Sequence, residues 1–272
     1  MIKPLLLLLT LIGISTQTIE AKVERRLALD IGSSTVKGEV ADVDGDRVVS
    51  LLYSASISVP FRESLSLTNR IDHPLEERLR AALQRHLDAG GALGAEAICG
   101  IATAASRKAL NGPEVLAKLS KELDIPLHII SQEEEGRLGY RSAMAISGKE
   151  GAVVWDSGGG SFQLTHQVGN RVEVYQGPIG RVAALEGLVQ LNGDRTYVDP
   201  ATAEALCALL KAQIDQPPPP WLENPVVAIA NICNVATDQL GKQTFSALEV
   251  DRLIREMGDR PRASDIRKTL LK

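Results

Sequence analysis

The feature of this sequence that most constrains its fold is a short turn that occurs twice, 126 residues apart. Asp30–Ser33 (DIGS) and Asp156–Gly159 (DSGG) each follow a short apolar run and precede a segment with strand character. Two turns in the same context indicate two copies of one structural unit. The sequence therefore predicts two related subdomains, residues 22–149 and a shorter one at residues 150–272, with a boundary near Gly148–Gly151.

The segments around the two turns have the periodicities of an α/β protein. Strands are predicted at Leu27–Ile31, Val36–Val43, Arg47–Tyr53, Ala55–Val59, Ala97–Thr103, Leu127–Ile130, Ala152–Trp155, Val172–Tyr175 and Val226–Ala230, with another directly after the second turn. Helices are predicted at Leu75–Leu87, Pro113–Leu123, Glu133–Ile146, Val182–Leu191 and Ala201–Ile214, and from Ala247 onwards. This order of elements predicts mixed sheets with flanking helices.

The N-terminus has the three regions of a secretory signal peptide. Lys3 supplies a positive charge, Leu5–Ile14 is apolar, and a polar stretch ends at the small residue Ala21. The apolar run is shorter than the about 20 residues that a membrane-spanning helix needs. An uncleaved anchor and a core helix are the alternatives, but we predict a signal peptide over residues 1–21 and a secreted or periplasmic protein. No second long apolar run is present, so no stable membrane insertion is expected after cleavage.

The composition and the cysteines argue against two classes of site. The formal net charge is −4, with both signs mixed along the chain, and aromatic residues make up only 3%. Nucleic-acid binding would require a basic face or aromatic stacking platforms. Cys99, Cys207 and Cys233 lack the spacing of a zinc site. A Cys207–Cys233 disulfide is one expectation for them, and buried free thiols are the other.

The two turns have the chemistry of phosphate and magnesium sites. Glycines let backbone N–H groups crowd round an anion, because no Cβ blocks the approach. An aspartate at the end of a strand suits Mg²⁺, which is usually bound through one or two carboxylates. A single turn of this kind is equally well an ordinary β-turn, but two in matched context favour phosphate binding. The candidates are Gly32, Ser33, Ser34, Gly158, Gly159, Gly160 and Ser161 for phosphate, and Asp30 and Asp156 for Mg²⁺.

Two further segments carry charged residues that have structural as well as functional explanations. Ser131 and Glu134 have the spacing of a capping box, so Glu133–Glu135 fits the start of a helix. Arg107 follows a predicted strand, where a guanidinium could fork onto phosphate oxygens or be an ordinary surface group. Neither segment is specific by itself.

Together these segments resemble the Ppx/GppA family of exopolyphosphatases and guanosine pentaphosphate phosphohydrolases. The resemblance runs from about Val23 to Ala236, and five motifs occur in the family's order and spacing. They are the first turn at Asp30–Ser34, the ATAASRKALN segment at Ala102–Asn111, the ISQEEEGRL segment at Ile130–Leu138, the second turn at Asp156–Ser161, and the segment from Gly177 to Glu186.

The resemblance implies the duplicated actin-like, ribonuclease H-like fold of the actin, sugar-kinase and Hsp70 superfamily, with two subdomains around a phosphate cleft. It also implies a Mg²⁺-dependent, exopolyphosphatase-like hydrolase of phosphoanhydride bonds. Polyphosphate or another phosphorylated small molecule would be its ligand, and a homodimer is compatible with it. The family's catalytic glutamate falls on Glu134, with Glu135 as the second candidate. Arg107 would neutralise developing charge, and Asp156 would help to hold Mg²⁺.

The sequence departs from the family's pattern at several positions. Ser34 replaces the usual asparagine, Gln163 replaces an acidic residue, and Ala228–Ile232 replaces a glycine-rich turn. The last two departures leave open a second hypothesis, a non-catalytic polyphosphate- or phosphate-binding protein on the same fold. A third is a kinase of the superfamily, since Asp30–Lys37 resembles the opening of a sugar kinase. Export disfavours the kinase, because ATP is scarce outside the cytoplasm.

Overall fold

The computed structural model describes residues 23–45, 47–149, 151–193, 199–229 and 241. The chain divides into two compact units, Met1–Glu150 and Gly151–Lys272. The predicted signal peptide and the predicted helix from Ala247 lie outside the described residues. Among the residues that are described, no helix is both long enough and apolar enough to cross a membrane.

The first unit contains a five-stranded mixed sheet with helices. Its strands are β1 (Glu24–Ile31), β2 (Thr35–Asp44), β3 (Arg47–Ser58), β4 (Ala97–Ala102) and β5 (Leu127–Ile129). Its helices are α1 (Phe61–Thr68), α2 (His73–Ala92), α3 (Ala104–Lys108), α4 (Gly112–Leu123) and α5 (Gln132–Ser147). Strands β1 to β3 are antiparallel neighbours, while β4 pairs parallel with β1 and β5 with β4. The resulting order is β3-β2-β1-β4-β5.

Helix α2 packs against this sheet through a stripe of apolar residues. The helix begins where the side chain of Asp72 accepts a hydrogen bond from the backbone N–H of Leu75. Leu79 and Leu83 of the stripe are fully buried. They belong to one core cluster with Leu27, Leu29, Ile31, Val36 and Val40 of β1 and β2. Each buried side chain of this size stabilises the fold by about 1.5–3 kcal/mol, so this contact fixes the sheet that carries the first turn.

His86 of α2 is a fully buried titratable group in the same region. Its Nδ1 lies 3.0 Å from the hydroxyl oxygen of Tyr53, and its Nε2 lies 3.2 Å from the carbonyl oxygen of Val36. A neutral ring satisfies both contacts by donating from Nε2 and accepting at Nδ1. Burial lowers the pKa of His86 below its usual value of 6.5.

We therefore expect the fold to lose stability in mild acid. The unfolded chain takes up a proton near pH 6.5, whereas folded His86 resists protonation, so the stabilisation is present above that pH. It is lost as the pH falls toward the lowered folded pKa, with a slope of up to about 1.4 kcal/mol per pH unit. Urea unfolding between pH 7.5 and 5 measures this loss. The loss should shrink in His86→Gln, and an unchanged pH dependence would contradict the assignment.

The second unit repeats the sheet order of the first. Its elements are β6 (Val153–Ser157), β7 (Phe162–Val168), β8 (Arg171–Gly177), α6 (Arg181–Asn192), α7 (Pro200–Lys211), a 3₁₀ turn (Pro220–Glu223) and β9 (Val226–Ala228). Strands β6 to β8 are antiparallel neighbours, and β9 pairs parallel with β6. The order β8-β7-β6-β9 corresponds to β3-β2-β1-β4. The predicted duplicated α/β fold with mixed sheets is confirmed.

Strand β3 corrects the prediction of two separate strands, because it is continuous from Arg47 to Ser58. Its pairing with β2 shifts register twice, and the shifts leave Val49 and Leu52 as extra residues opposite β2. Ser54, at the predicted break, stays in the strand and donates its hydroxyl hydrogen to the buried carboxylate of Glu39. A serine therefore does not interrupt this strand, because it has a partner on the neighbouring one.

Two helices and one cysteine also differ from the sequence-based expectations. Helices α1 and α3 are not evident in the sequence, because both are short and neither begins with a side-chain cap. Cys99 and Cys207 are free thiols. Cys99 is half-buried, but Cys207 is exposed, so the expectation of burial is wrong for Cys207. Cys233 lies outside the described residues.

Candidate active site

The two turns are closed by the same hydrogen bond. The backbone N–H of Gly32 donates to the carbonyl oxygen of Thr35 over 2.9 Å. The N–H of Gly158 donates to the carbonyl oxygen of Ser161 over 3.0 Å. These residues occupy equivalent positions in the two units, 126 residues apart. The duplication therefore extends to the backbone geometry of the turns.

The backbone amide that follows the glycine of each closing hydrogen bond differs from that glycine's amide, because it has no acceptor among the described residues. The N–H groups of Ser33 and Gly159, again at equivalent positions, donate to no group within the part of the chain that the structure describes. The sequence also named Gly32 and Gly158 as phosphate contacts, but their amides are engaged in closing the turns. Unbonded amides in a glycine-containing turn are suited to binding an anion.

The other candidates of the first unit lie at one edge of its sheet. The first turn follows β1, the segment from Thr103 follows β4, and the segment from Ile130 follows β5. These three strands run parallel, so their carboxyl ends meet at the same edge, the usual place for ligands in open α/β sheets. The N–H of Thr103 donates to the carbonyl oxygen of Ile31 over 3.1 Å and ties the second segment to the first turn.

Arg107 is held at this edge by both ends of its guanidinium. Nη1 donates to the carbonyl oxygen of Ile130 over 3.0 Å, and Nη2 donates to Oε2 of Glu135 over 2.9 Å. Only 19% of the Arg107 side chain and 18% of the Glu135 side chain are exposed. Arg107 also borders a shallow groove of about 610 Å³ whose other lining side chains are mostly apolar. A cation is thus fixed at this edge of the sheet, next to the segment that follows β5, by a largely buried ion pair.

Glu134 is exposed and closes the capping box predicted at the start of α5. The N–H of Glu134 donates to Oγ of Ser131 over 3.1 Å, and Oε2 of Glu134 accepts from the N–H of Ser131 over 2.7 Å. The hydrogen bond from the Ser131 backbone lowers the pKa of the Glu134 carboxyl group, which is therefore ionised at neutral pH. The side chain of Ser131 also interacts with this carboxylate and lowers its pKa further.

The two carboxylates considered for Mg²⁺ have different surroundings. Oδ2 of Asp30 accepts from Nζ of Lys37 over 3.1 Å. Asp156 lies opposite Gln163, which is 1% exposed and donates from its amide to Oγ of Ser161 over 3.3 Å. The described residues contain no group of three or more His, Cys, Asp or Glu side chains that could hold a metal. Among the described residues, Asp30 and Asp156 therefore offer Mg²⁺ single carboxylates rather than a preformed protein cage, and its other ligands would come from outside the chain.

The second turn packs against the start of α6. The N–H groups of Arg181 and Val182 donate to the carbonyl oxygens of Gly158 and Gly159 over 3.1 and 2.9 Å. An added Cβ at Gly180 would lie 2.4 Å from both the carbonyl carbon and the carbonyl oxygen of Gly159. The close approach explains why a glycine begins this helix. Periodicity alone does not reveal it, and the paired glycines at 177 and 180 are the signal in the sequence.

The asparagine of the ATAASRKALN segment has a structural role that the motif does not reveal. Oδ1 of Asn111 accepts from the N–H of Ile71 over 2.8 Å, and Nδ2 donates to the carbonyl oxygen of Ile71 over 2.9 Å. An added Cβ at Gly112 would lie 2.0 Å from the carbonyl oxygen of Ser106. Both residues hold the connection between α3 and α4, and so the position of Arg107.

Comparisons with known proteins show the family and the fold of this chain. The sequence pattern of the Ppx/GppA phosphatase family matches residues 40–192. An exopolyphosphatase 1 from Mycobacterium leprae is 26% identical over 148 residues, which are 54% of this chain and 44% of that protein. The exopolyphosphatase 1 of Mycobacterium tuberculosis (strain ATCC 25618 / H37Rv) is 24% identical over 148 residues, 54% of this chain and 43% of that protein. The chain thus matches less than half the length of these relatives.

Solved structures share the fold. The PPX-GPPA enzyme of Aquifex aeolicus is similar with a TM-score of 0.65 at 21% identity, over 84% of this chain and 75% of that one. An exopolyphosphatase from Cytophaga hutchinsonii is similar with a TM-score of 0.64 at 17% identity, over 91% of this chain and 88% of that one. Identities this low show likeness of fold alone, but the family pattern covers more than half of the sequence. The chain belongs to the Ppx/GppA phosphatase family.

Proposed function

We propose that this protein is an exported hydrolase that releases terminal phosphate from polyphosphate or a related phosphorylated compound. The proposal is carried by one edge of the first sheet, which gathers the unbonded amide of Ser33, the fixed guanidinium of Arg107, and Glu134 and Glu135. Phosphoryl transfer depends mainly on positioning and charge stabilisation, with little covalent chemistry for the protein to do. These groups are suited to both tasks.

Each residue has a distinct role in this mechanism. The amide of Ser33 binds a phosphate oxygen, and Arg107 stabilises the charge that develops on the transferred phosphoryl group. Glu134, which is ionised, orients the attacking water and accepts its proton. Glu135 keeps Arg107 in position through the 2.9 Å ion pair. In the second unit, the amide of Gly159 binds phosphate in the same way as that of Ser33.

The proposed role of Mg²⁺ is to provide positive charge opposite the phosphates of the substrate. Asp156 would help to hold a Mg²⁺ ion, which would supply positive charge to offset part of the negative charge of the polyanion. Asp156 supplies the carboxylate for this contact, and the neutral amide of Gln163 lies opposite it on β7.

Phosphate release from long-chain polyphosphate by the purified protein, in Mg²⁺ and then in chelator, tests the proposal. We expect steady release of inorganic phosphate in Mg²⁺ and a large reduction in chelator. The absence of release from polyphosphate and from phosphorylated nucleotides alike would refute the hydrolase. Guanosine pentaphosphate, tested in parallel, distinguishes a nucleotide substrate from an inorganic one.

A non-catalytic polyphosphate-binding protein is the second candidate, and Gln163 is the observation that favours it. A buried neutral amide beside Asp156 brings no negative charge to a metal at the second turn. Calorimetric binding of polyphosphate without any release of phosphate would establish this alternative. A positioned, ionised Glu134 favours the enzyme, because binding alone requires no base.

Replacing Gln163 with Glu should strengthen metal binding at the second turn. The new carboxylate would lie opposite Asp156, so the two would repel each other in metal-free buffer. We expect a lower melting temperature than wild type in chelator, a larger rise with added Mg²⁺, and higher activity at limiting Mg²⁺. Gln167→Glu, at an exposed position of the same strand, is the control. Equal Mg²⁺ responses in Gln163→Glu and wild type would show that Gln163 is not at a metal site.

Export rests on the N-terminal sequence, which lies outside the described residues. The mass of the intact protein, recovered from the cell that produces it, should correspond to a chain that begins near Lys22. It should be found outside the cytoplasm. An unprocessed N-terminus in a cytosolic fraction would contradict export without affecting the hydrolase.

A further inference from the structure

Arg181 has a buried guanidinium nitrogen that the mechanism above does not use. It is the first residue of α6, directly after Gly180. Nη1 of its guanidinium is buried and has no hydrogen-bond partner within the described part of the chain. Burial lowers the pKa of Arg181 from its usual value, with no acidic group acting against that effect. A guanidinium is a five-donor group that is normally paired when it is buried.

A buried guanidinium nitrogen without an acceptor is costly for a folded protein, even though the Arg181 side chain as a whole is only partly buried. Desolvation of a charged group is offset only when an opposite charge or acceptors surround it. A nitrogen left without a partner in this way indicates that an acceptor is supplied from outside the chain. An anion satisfies the charge and the hydrogen bond together, because phosphate oxygens accept from the planar guanidinium fork.

The backbone of Arg181 contacts the second turn. The backbone N–H of Arg181 donates to the carbonyl oxygen of Gly158, so the guanidinium lies within one side-chain length of the second turn. The unbonded amide of Gly159 belongs to the same turn. Opposite Asp156, the neighbouring strand carries the neutral Gln163. The second turn thus combines an adjacent arginine and an unbonded amide with one carboxylate, that of Asp156.

We propose that the Arg181 guanidinium binds an oxygen of the polyphosphate chain at the second turn, so that this turn holds phosphate without Mg²⁺. The proposal rests on the proposed function, since it assigns a substrate contact in the same protein. On this proposal, binding of phosphate at the second turn does not require Mg²⁺, whereas hydrolysis does. Arg181 is therefore a substrate-binding residue rather than a residue of the chemical step.

Calorimetric titration with inorganic tripolyphosphate in chelator tests the proposal directly. Wild type should bind, and Arg181→Met should bind about 10- to 150-fold more weakly, the range for losing one charge-assisted hydrogen bond. Arg181→Lys should recover part of the affinity, since it keeps the charge but not the fork. Arg171→Met, at an exposed arginine of the same unit, should bind like wild type.

The outcomes separate this inference from the proposed function. Arg181→Met should keep or raise the melting temperature, because it removes a buried nitrogen that has no hydrogen-bond partner within the described part of the chain; a large fall would show that Arg181 is structural and overturn the inference. Wild-type affinity in Arg181→Met, with polyphosphate hydrolysis intact, would overturn the inference alone. Failure of wild type to bind tripolyphosphate in chelator while hydrolysing polyphosphate in Mg²⁺ would also overturn it. Failure to bind or hydrolyse under either condition would refute both.

Discussion

Glu134→Gln is expected to lower polyphosphate hydrolysis by about 10²- to 10⁴-fold, the contribution of a positioned general base. Binding of polyphosphate and the fold should persist. The amide oxygen of Gln is still able to accept from the N–H of Ser131, as a capping box allows either Glu or Gln at this position. The variant therefore removes the base while retaining the cap, and steady-state phosphate release together with tripolyphosphate calorimetry measures both properties.

Glu135→Gln is the matched control one residue along the same helix. Glu135 contacts Arg107 rather than capping the helix, and a Gln oxygen still accepts from Nη2 of that arginine. We expect a reduction well below that of Glu134→Gln, because the position of Arg107 is largely retained. Equal hydrolysis by wild type and Glu134→Gln would show that Glu134 is only a cap. A larger loss in Glu135→Gln than in Glu134→Gln would transfer the role of base to Glu135.

Gly180→Ala should abolish measurable tripolyphosphate binding and destabilise the second unit. The new Cβ would lie 2.4 Å from the backbone of Gly159. Backbone atoms cannot relieve such a clash by changing rotamer, as a side chain can. Either the second turn or the start of α6 must move, which breaks the hydrogen bonds from Arg181 and Val182. Overpacking typically costs about 1–3 kcal/mol, and the displaced turn would lose the amide of Gly159 as a ligand.

Gly187→Ala on the same helix is the control for this prediction. Its Cβ would meet the side-chain ends of Leu206 and Leu209 at 2.7 and 3.0 Å, and both are free to change rotamer. Thermal unfolding and calorimetry of the two variants should therefore differ sharply. Wild-type binding by Gly180→Ala would mean that the second turn tolerates displacement and does not form the phosphate site.

The parts of the fold predicted from sequence are those in which local chemistry and tertiary contacts agree. The centre of strand β1, Leu27–Leu29, is apolar and buried, and α5 begins where the Ser131–Glu134 spacing places a capping box. The two turns were recognisable because the same residues recur in the same context. The duplication is therefore the most predictable property of the fold, because it can be recognised from the repeated residues without knowing the tertiary contacts of either copy.

The remaining features depend on contacts between residues distant in sequence. The ion pair between Arg107 and Glu135 joins residues 28 positions apart, and the hydrophobic periodicity of the sequence does not predict that they contact each other. Asn111 belongs to a motif that looks catalytic, yet it holds the backbone of Ile71. The burial of Nη1 of Arg181 is also not predictable from the sequence, because an arginine at the start of a helix is expected to be solvated. The assignments of Glu134, Arg107 and Asp156 to catalysis stay predictions.

The two register shifts in β3 make Val49 and Leu52 the residues that its pairing with β2 does not require. The residues on either side of Val49 oppose Val43 and Asp42, and those on either side of Leu52 oppose Ala41 and Val40. Removing Val49 or Leu52 would therefore leave the other pairs between β2 and β3, and the face to which each paired side chain points, unchanged. Both residues lie on a strand at the edge of the sheet, and both are exposed. Single-residue deletions at these two positions are therefore the length changes that this strand accommodates most easily.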